Sequence, residues 1–130
     1  MRGILLSIKP EWWELILEGK KPWEIRKSMP KDPAPTPKKP LPVLCYISGT
    51  GEIEGWFSLP SAFVVPPDTT TAIKSRGPAR KLHEYQGTGK LYAWVADKPR
   101  KFLSPMPLSA VGVDRPPMSW QYIDIPEGVI

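Results

Sequence analysis

Apolar residues recur at strand spacing in several short runs of this chain, and at helical spacing in one. Ile4, Leu6 and Ile8 interleave with Leu5 and Ser7, the pattern of a mostly buried strand. Pro10 then suits the first turn of a helix, and Glu11 and Glu14 fall near its positive end. Trp12, Leu15 and Ile16 form an i, i+3, i+4 stripe, flanked by Trp13 and Leu17, and Gly19 is placed to end the helix. Two neighbouring exposed tryptophans would be costly in water, so one is expected in the core while the other is free to line a cleft.

Downstream, Val43 to Ser48 is a compact apolar run consistent with a central strand. Ile53, Gly55, Phe57 and Leu59 alternate with Glu52, Glu54, Trp56 and Ser58, which predicts a strand with one wet face. Shorter strands are expected at Ala62 to Val65, Leu91 to Ala96 and Gln121 to Ile125. Pro66 to Gly77 reads as irregular, Ala79 to Tyr85 as a short basic helix, and Pro99 to Pro107 as a loop. Ser28 to Pro42 contains six prolines (30, 33, 35, 37, 40 and 42) and reads as a semi-rigid surface loop, with docking to a proline-reading domain as the alternative. Many short strands, few helices and proline-rich connections predict an α+β, mainly β fold: a small barrel or rolled sheet with one or two short flanking helices.

The length of 130 residues suits one domain, spanning 1–130, with the 28–42 loop inside it. The opening apolar run is shorter than a signal-peptide core, and no run approaches a membrane span, so a cytoplasmic location is the default. The one cysteine, Cys45, lies in a strand-like run and reads as a core residue. Charge sharpens the picture. Between Lys74 and Lys101 stand eight basic residues against two acids, a net +6 that exceeds the +5 of the whole chain. Such clustering suits a phosphate backbone, or simply a solvated surface.

Familiar catalytic and metal chemistry is missing. Gly87-Thr88-Gly89-Lys90 lacks the earlier glycine and the Ser/Thr of a phosphate loop, and reads as a hairpin turn. One histidine, His83, and one cysteine cannot build a typical zinc site, and nothing brings His83 to a serine. No metal and no cofactor is therefore expected.

The most informative stretch is Gly19-Lys20-Lys21-Pro22-Trp23-Glu24-Ile25-Arg26-Lys27. After the glycine stop its side chains alternate: Trp23 and Ile25 on one face, Glu24 and Arg26 on the other, with Lys20 and Lys21 at the mouth. An apolar pair would anchor a charged pair beside a basic turn, forming either a place for an anionic polar ligand or a surface ion pair.

This stretch, together with Leu6-Ser7-Ile8-Lys9-Pro10, resembles the N-terminal signature of the ASCH family, roughly Gly-x-Lys-Thr-x-Glu-x-Arg. Tyr92-Ala93-Trp94 and Arg115-Pro116-Pro117-Met118-Ser119-Trp120-Gln121-Tyr122 are similar to the C-terminal part of a subgroup common in phages and prophages. The resemblance implies a PUA-like β-barrel with a cleft, and recognition of RNA, another single-stranded nucleic acid or a modified nucleoside. On that reading Lys9, Lys20, Lys21 and Arg26 meet phosphates, Glu24 meets a base or orients its neighbours, and Trp12 and Trp120, with Ser119 beside them, contact the ligand. An enzymatic branch of the resemblance removes the acetyl group from N4-acetylcytidine with a lysine, a threonine and a glutamate. Lys21 matches that lysine, Glu24 stands where the branch has its catalytic threonine, and Pro22 replaces another threonine. As a nucleotide- or RNA-directed hydrolase, or a ribonuclease, the chain would use Lys21 and Glu24 as its catalytic pair.

Overall fold

The computed structural model describes residues 1–66, 68–76 and 90–130. Among these residues five strands form one sheet and three form another. In chain order they are β1 (Arg2–Ile8), β2 (Trp23–Arg26), β3 (Leu41–Ile47), β4 (Glu52–Leu59), β5 (Ala62–Val65), β6 (Leu91–Val95), β7 (Asp97–Met106) and β8 (Trp120–Asp124). Helix α1 (Pro10–Leu17) follows β1, α2 (Thr69–Ser75) follows β5, and a 3-10 turn spans Leu108–Val111. The larger sheet runs β7-β4-β3-β1-β8 and the smaller β2-β6-β5. The expected mainly β, α+β class with one or two short helices fits the described residues. The expected closed barrel does not: among the described residues the strands divide between two separately hydrogen-bonded sheets.

At the centre, β1 pairs β3 in parallel, with Ile4 opposite Val43 and Leu6 opposite Cys45. Both strands are covered on both faces, which explains their nearly unbroken apolar sequence. One face carries Ile4, Leu6, Ile8, Val43, Cys45, Phe57 and Leu59 against Trp13 and Ile16 of α1 and Trp94 of β6. The other carries Leu5, Leu44 and Ile53 against Val111, Ile123 and Ile125. Ile53 joins this second face because the β3–β4 register shifts between Cys45 and Tyr46, so Tyr46 stands opposite Ile53 while Cys45 stands opposite Gly55. One extra residue in a ladder inverts every side chain beyond it. Gly55 lets the sheet and α1 meet: a Cβ there would collide with the Arg100 carbonyl and with Cζ2 of Trp13.

Three expectations are corrected. Residues expected to be irregular after Pro66 contain α2, which starts at an Asp68 side chain accepting from Thr71 N at 2.9 Å. The loop expected at Pro99 to Pro107 is largely β7, an edge strand paired to β4 with two register shifts. The proline loop ends before β3, which begins at Leu41 and includes Pro42. Pro42 fits there because it pairs with Ser58 of β4, while the β1 pairing starts only at Val43. The loop also packs back on the fold: Tyr122 Oη donates to Pro33 O and accepts from Asp32 N, each at 3.1 Å. The helix expected at Ala79 to Tyr85, the turn at Gly87 to Lys90 and His83 fall wholly or mainly outside the described residues. Cys45 is a fully buried thiol as expected, and burial pushes its pKa well up. Among the described residues no helix is long and apolar enough to cross a membrane.

Candidate functional site

Helix α1 ends in a Schellman motif. Gly19, at φ 75°, donates to Ile16 O, and Lys20 N donates to Leu15 O at 2.9 Å. This reversal carries the chain directly into β2. Of the two neighbouring tryptophans, Trp13 is the core residue and Trp12 stays half-buried.

The alternation expected in β2 is present, but its faces have the opposite environment to that of a surface ion pair. Trp23 and Ile25 pack with Val65, Leu91, Ala93 and Ala72 of α2. Glu24 and Arg26 lie opposite Trp94 and Tyr92 in the β2–β6 ladder. Trp94 and Tyr92 belong to the main core cluster, so the charged side of β2 turns toward the larger sheet. Only 5% of Lys21 and 6% of Glu24 is exposed.

The three charges converge. Glu24 Oε2 lies 3.8 Å from Lys21 Nζ, and Glu24 Oε1 lies 3.4 Å from Arg26 Nε. Lys21 Nζ donates to the carbonyl of Ser75, the last residue of α2, and lies 5.2 Å from the centre of the Trp12 ring. Arg26 spreads its fork across the larger sheet: Nη2 donates to Ser7 O at 2.8 Å and Nη1 to Ser119 Oγ at 3.2 Å. The segment before β8 is fastened to β1 as well, because Ser7 Oγ donates to Pro117 O and Ser7 N donates to Ser119 O.

This cluster holds two cations for one carboxylate. Within the described residues, Glu24 Oε2 and Arg26 Nε are buried and make no hydrogen bond. Buried polar atoms of this kind are rare, and each costs about 1–3 kcal/mol. Burial lowers the Lys21 pKa below its ordinary 10.5; the Glu24 carboxylate works against that shift and the Arg26 charge reinforces it. The arrangement can offer unused donor and acceptor capacity to a polar ligand, and an amine that gives up its proton more readily than a surface lysine.

Among the site residues expected from sequence, Lys21, Glu24, Arg26, Trp12 and Ser119 come together. Trp120 stands one layer back. Its indole donates to Ser28 Oγ at 2.8 Å and packs edge-on against Trp94 and Tyr122, each at 5.4 Å between centroids. Lys20 is exposed and pairs with Glu18 at 3.0 Å. Lys9 has an exposed side chain, and its carbonyl caps the start of α1 by accepting from Trp12 N and Trp13 N. The backbone acceptors at Ser7 and Ser75 were missed. Their signal is tertiary: they lie 19 residues from Arg26 and 54 from Lys21.

Comparison with known proteins agrees with the architecture. A family model described as the ASCH domain matches residues 6–35, the stretch holding the end of β1, all of α1 and β2. No curated protein matches the chain in sequence. The crystal structure of ASCH from Zymomonas mobilis superposes with a TM-score of 0.75 at 18% identity, covering 94% of this chain and 87% of that one. A tyrosine-to-phenylalanine variant of the same protein gives a TM-score of 0.74 at 18% identity, covering 94% and 90%. A serine-to-alanine variant gives 0.75 at 16% identity, covering 94% and 88%. The two-sheet architecture built around Lys21, Glu24 and Arg26 is therefore the fold of the ASCH structure from Zymomonas mobilis.

Proposed function

We propose that the chain is an ASCH-family, PUA-like nucleic-acid-binding domain that takes an unpaired or modified nucleotide of RNA, or of another single strand, at the Lys21–Glu24–Arg26 cluster. The observation that carries this reading is the unsatisfied, net-positive charge cluster beneath Trp12. A phosphate or a carbonyl edge of a base supplies the missing acceptor for Arg26 Nε, and an exocyclic amino group supplies the missing donor for Glu24 Oε2. Trp12 offers an aromatic surface beside the Lys21 amine, and exposed Lys9 and Lys20 flank the cluster in sequence and contribute long-range attraction. Ser119 holds the Arg26 fork, and Trp120 supports Trp94 beneath it.

The test is binding of single-stranded RNA, single-stranded DNA and free nucleosides as a function of salt. Affinity falls steeply as salt rises, and Arg26→Gln weakens it while the protein stays folded. No binding of any of these at low salt removes the reading.

A second reading is favoured by the lowered proton affinity of Lys21 beside a carboxylate. In it Lys21 acts as a base and Glu24 exchanges protons during hydrolysis of a modified base or of RNA. Turnover of acetylcytidine or RNA that Lys21→Met abolishes in a folded protein supports it. Intact substrates after incubation with the wild-type protein argue it away.

A further inference from the structure

Among the described residues, none of the basic side chains between Lys74 and Lys101 pairs with Lys21, Glu24 or Arg26. The last three of them, Lys98, Arg100 and Lys101, are exposed on β7. This strand forms one edge of the larger sheet, and β8, beside the cluster, forms the other. Four strand spacings of about 4.8 Å put the two edges roughly 19 Å apart.

Arg100 is prepared for a ligand in a way that an ordinary surface arginine is not. Its guanidinium carbon lies 3.9 Å over the ring of Trp56, the residue opposite it in the ladder. Trp56 packs against the Leu5–Leu44 core cluster, so this shelf is fixed. Arg100 Nε donates to Lys98 O at 3.0 Å, which sets the rotation of the fork. Lys98 adopts φ 49°, a left-handed conformation that a residue with a Cβ enters at a cost of about 1–2 kcal/mol. Within the described residues the two terminal nitrogens of Arg100 have no hydrogen bond, and none of the three cations has an ion pair. The acids on these two strands are otherwise placed: Glu54 accepts from Thr50 Oγ1, Glu52 stands opposite Ile47 and Asp97 opposite Ser58. Because Trp56 and Gly55 face opposite sides of the sheet, their partners Arg100 and Lys101 straddle the free edge of β7.

We infer that this edge is a second contact surface, one that grips the phosphodiester backbone of a nucleic-acid strand whose recognised nucleotide sits at the Lys21–Glu24–Arg26 cluster. A planar guanidinium pinned by stacking loses little freedom on pairing with a phosphate, and it pairs in bidentate fashion. The inference rests on the nucleic-acid reading above and adds a length requirement. Arg100 lies on the sheet face opposite the cluster, so the strand must also round the β7 edge: at about 3.4 Å per stacked nucleotide, roughly six nucleotides cover the width of the sheet alone, and the full path is longer. A mononucleotide reaches only one.

The experiment compares a 12-nucleotide single-stranded RNA with a mononucleotide, by fluorescence anisotropy and calorimetry at several salt concentrations. Arg100→Gln is expected to weaken 12-mer binding several-fold and to reduce the salt slope by about 0.7, one phosphate contact, with mononucleotide binding unchanged. The Lys98→Gln, Lys101→Gln pair leaves the Trp56 stack in place and is expected to reduce the slope by about 1.4. Unchanged 12-mer affinity and slope in the triple variant overturn the inference, and so does an equal loss for the mononucleotide and the 12-mer. If Arg26→Gln leaves 12-mer binding intact while Arg100→Gln weakens it, the cluster reading fails and the β7 surface stands.

Discussion

Removing Glu24 tests the buried cluster at its electrical centre. Glu24→Ala leaves Lys21 and Arg26 facing each other with 5% and 15% of their side chains exposed and no carboxylate between them. At an effective dielectric constant of about 20, Coulomb's law assigns roughly 4–5 kcal/mol to each charge pair at the observed separations. Desolvation offsets much of this, and breaking a buried pair by removing one partner costs about 3–5 kcal/mol. Lys21 limits the loss by giving up its proton, since the one influence raising its pKa has gone. A destabilisation of about 3 kcal/mol is therefore expected, read as a lower urea midpoint and a melting temperature about 10–15 °C lower for a domain of this size. The loss has a pH signature. With the folded Lys21 pKa further below 10.5 than in wild type, the unfolded chain binds more protons across that window, and the variant gains stability as pH rises toward 10.5. Adding Lys21→Met removes the stranded amine and recovers part of the stability. A change of less than about 0.5 kcal/mol, the level of an exposed pair, would refute the buried-cluster assignment.

Three further outcomes follow from the same geometry. In the wild-type protein the lowered Lys21 pKa gives a stability increment that grows from the folded pKa up to 10.5; Lys21→Met abolishes that alkaline gain, measured by urea titration at several pH values. Gly55→Ala drives a methyl group into the Arg100 carbonyl and the Trp13 ring and costs about 1–3 kcal/mol by thermal unfolding; an unchanged melting temperature would show that β7 and α1 do not meet there. Cys45, fully buried and with its pKa raised, reacts with a thiol reagent only as fast as the protein opens, so labelling without denaturant that outpaces hydrogen exchange of β3 contradicts its core position.

The parts of the fold legible in the sequence are those where burial imposes a pattern. Ile4 to Ile8 and Val43 to Ile47 are apolar at nearly every position because both of their faces are covered, and α1 carries its stripe because one side meets the sheet. β7 escaped notice for the converse reason. It is an edge strand, paired on one side only, mostly exposed and rich in charge and proline, so no alternation marks it. Helix α2 is equally silent: Thr69, Thr70 and Thr71 are poor helix formers, and the Asp68 cap and the packing of Ala72 decide the conformation. Division into two sheets depends on pairings such as β2 with β6, nearly seventy residues apart, which periodicity does not encode.

The site was legible in its residues and illegible in its environment. Alternation in Trp23–Arg26 separates two faces without saying which is inside, and the usual assumption that the apolar face is the buried one is insufficient here. The small sheet is covered on both sides, by α2 over Trp23 and Ile25 and by the larger sheet over Glu24 and Arg26. That distinction matters for function. A half-exposed Glu–Arg pair needs no explanation beyond solubility. Two cations and one carboxylate held inside the protein, with a donor and an acceptor left unused, gain little over apolar residues of the same volume, which would be as stable or more so. Stability alone gives no reason for Lys21, Glu24 and Arg26 to be there together. The nucleotide proposed above would use Arg26 Nε and Glu24 Oε2, and on that proposal Ser7, Ser75 and Ser119 hold the cations ready for it from three separate segments.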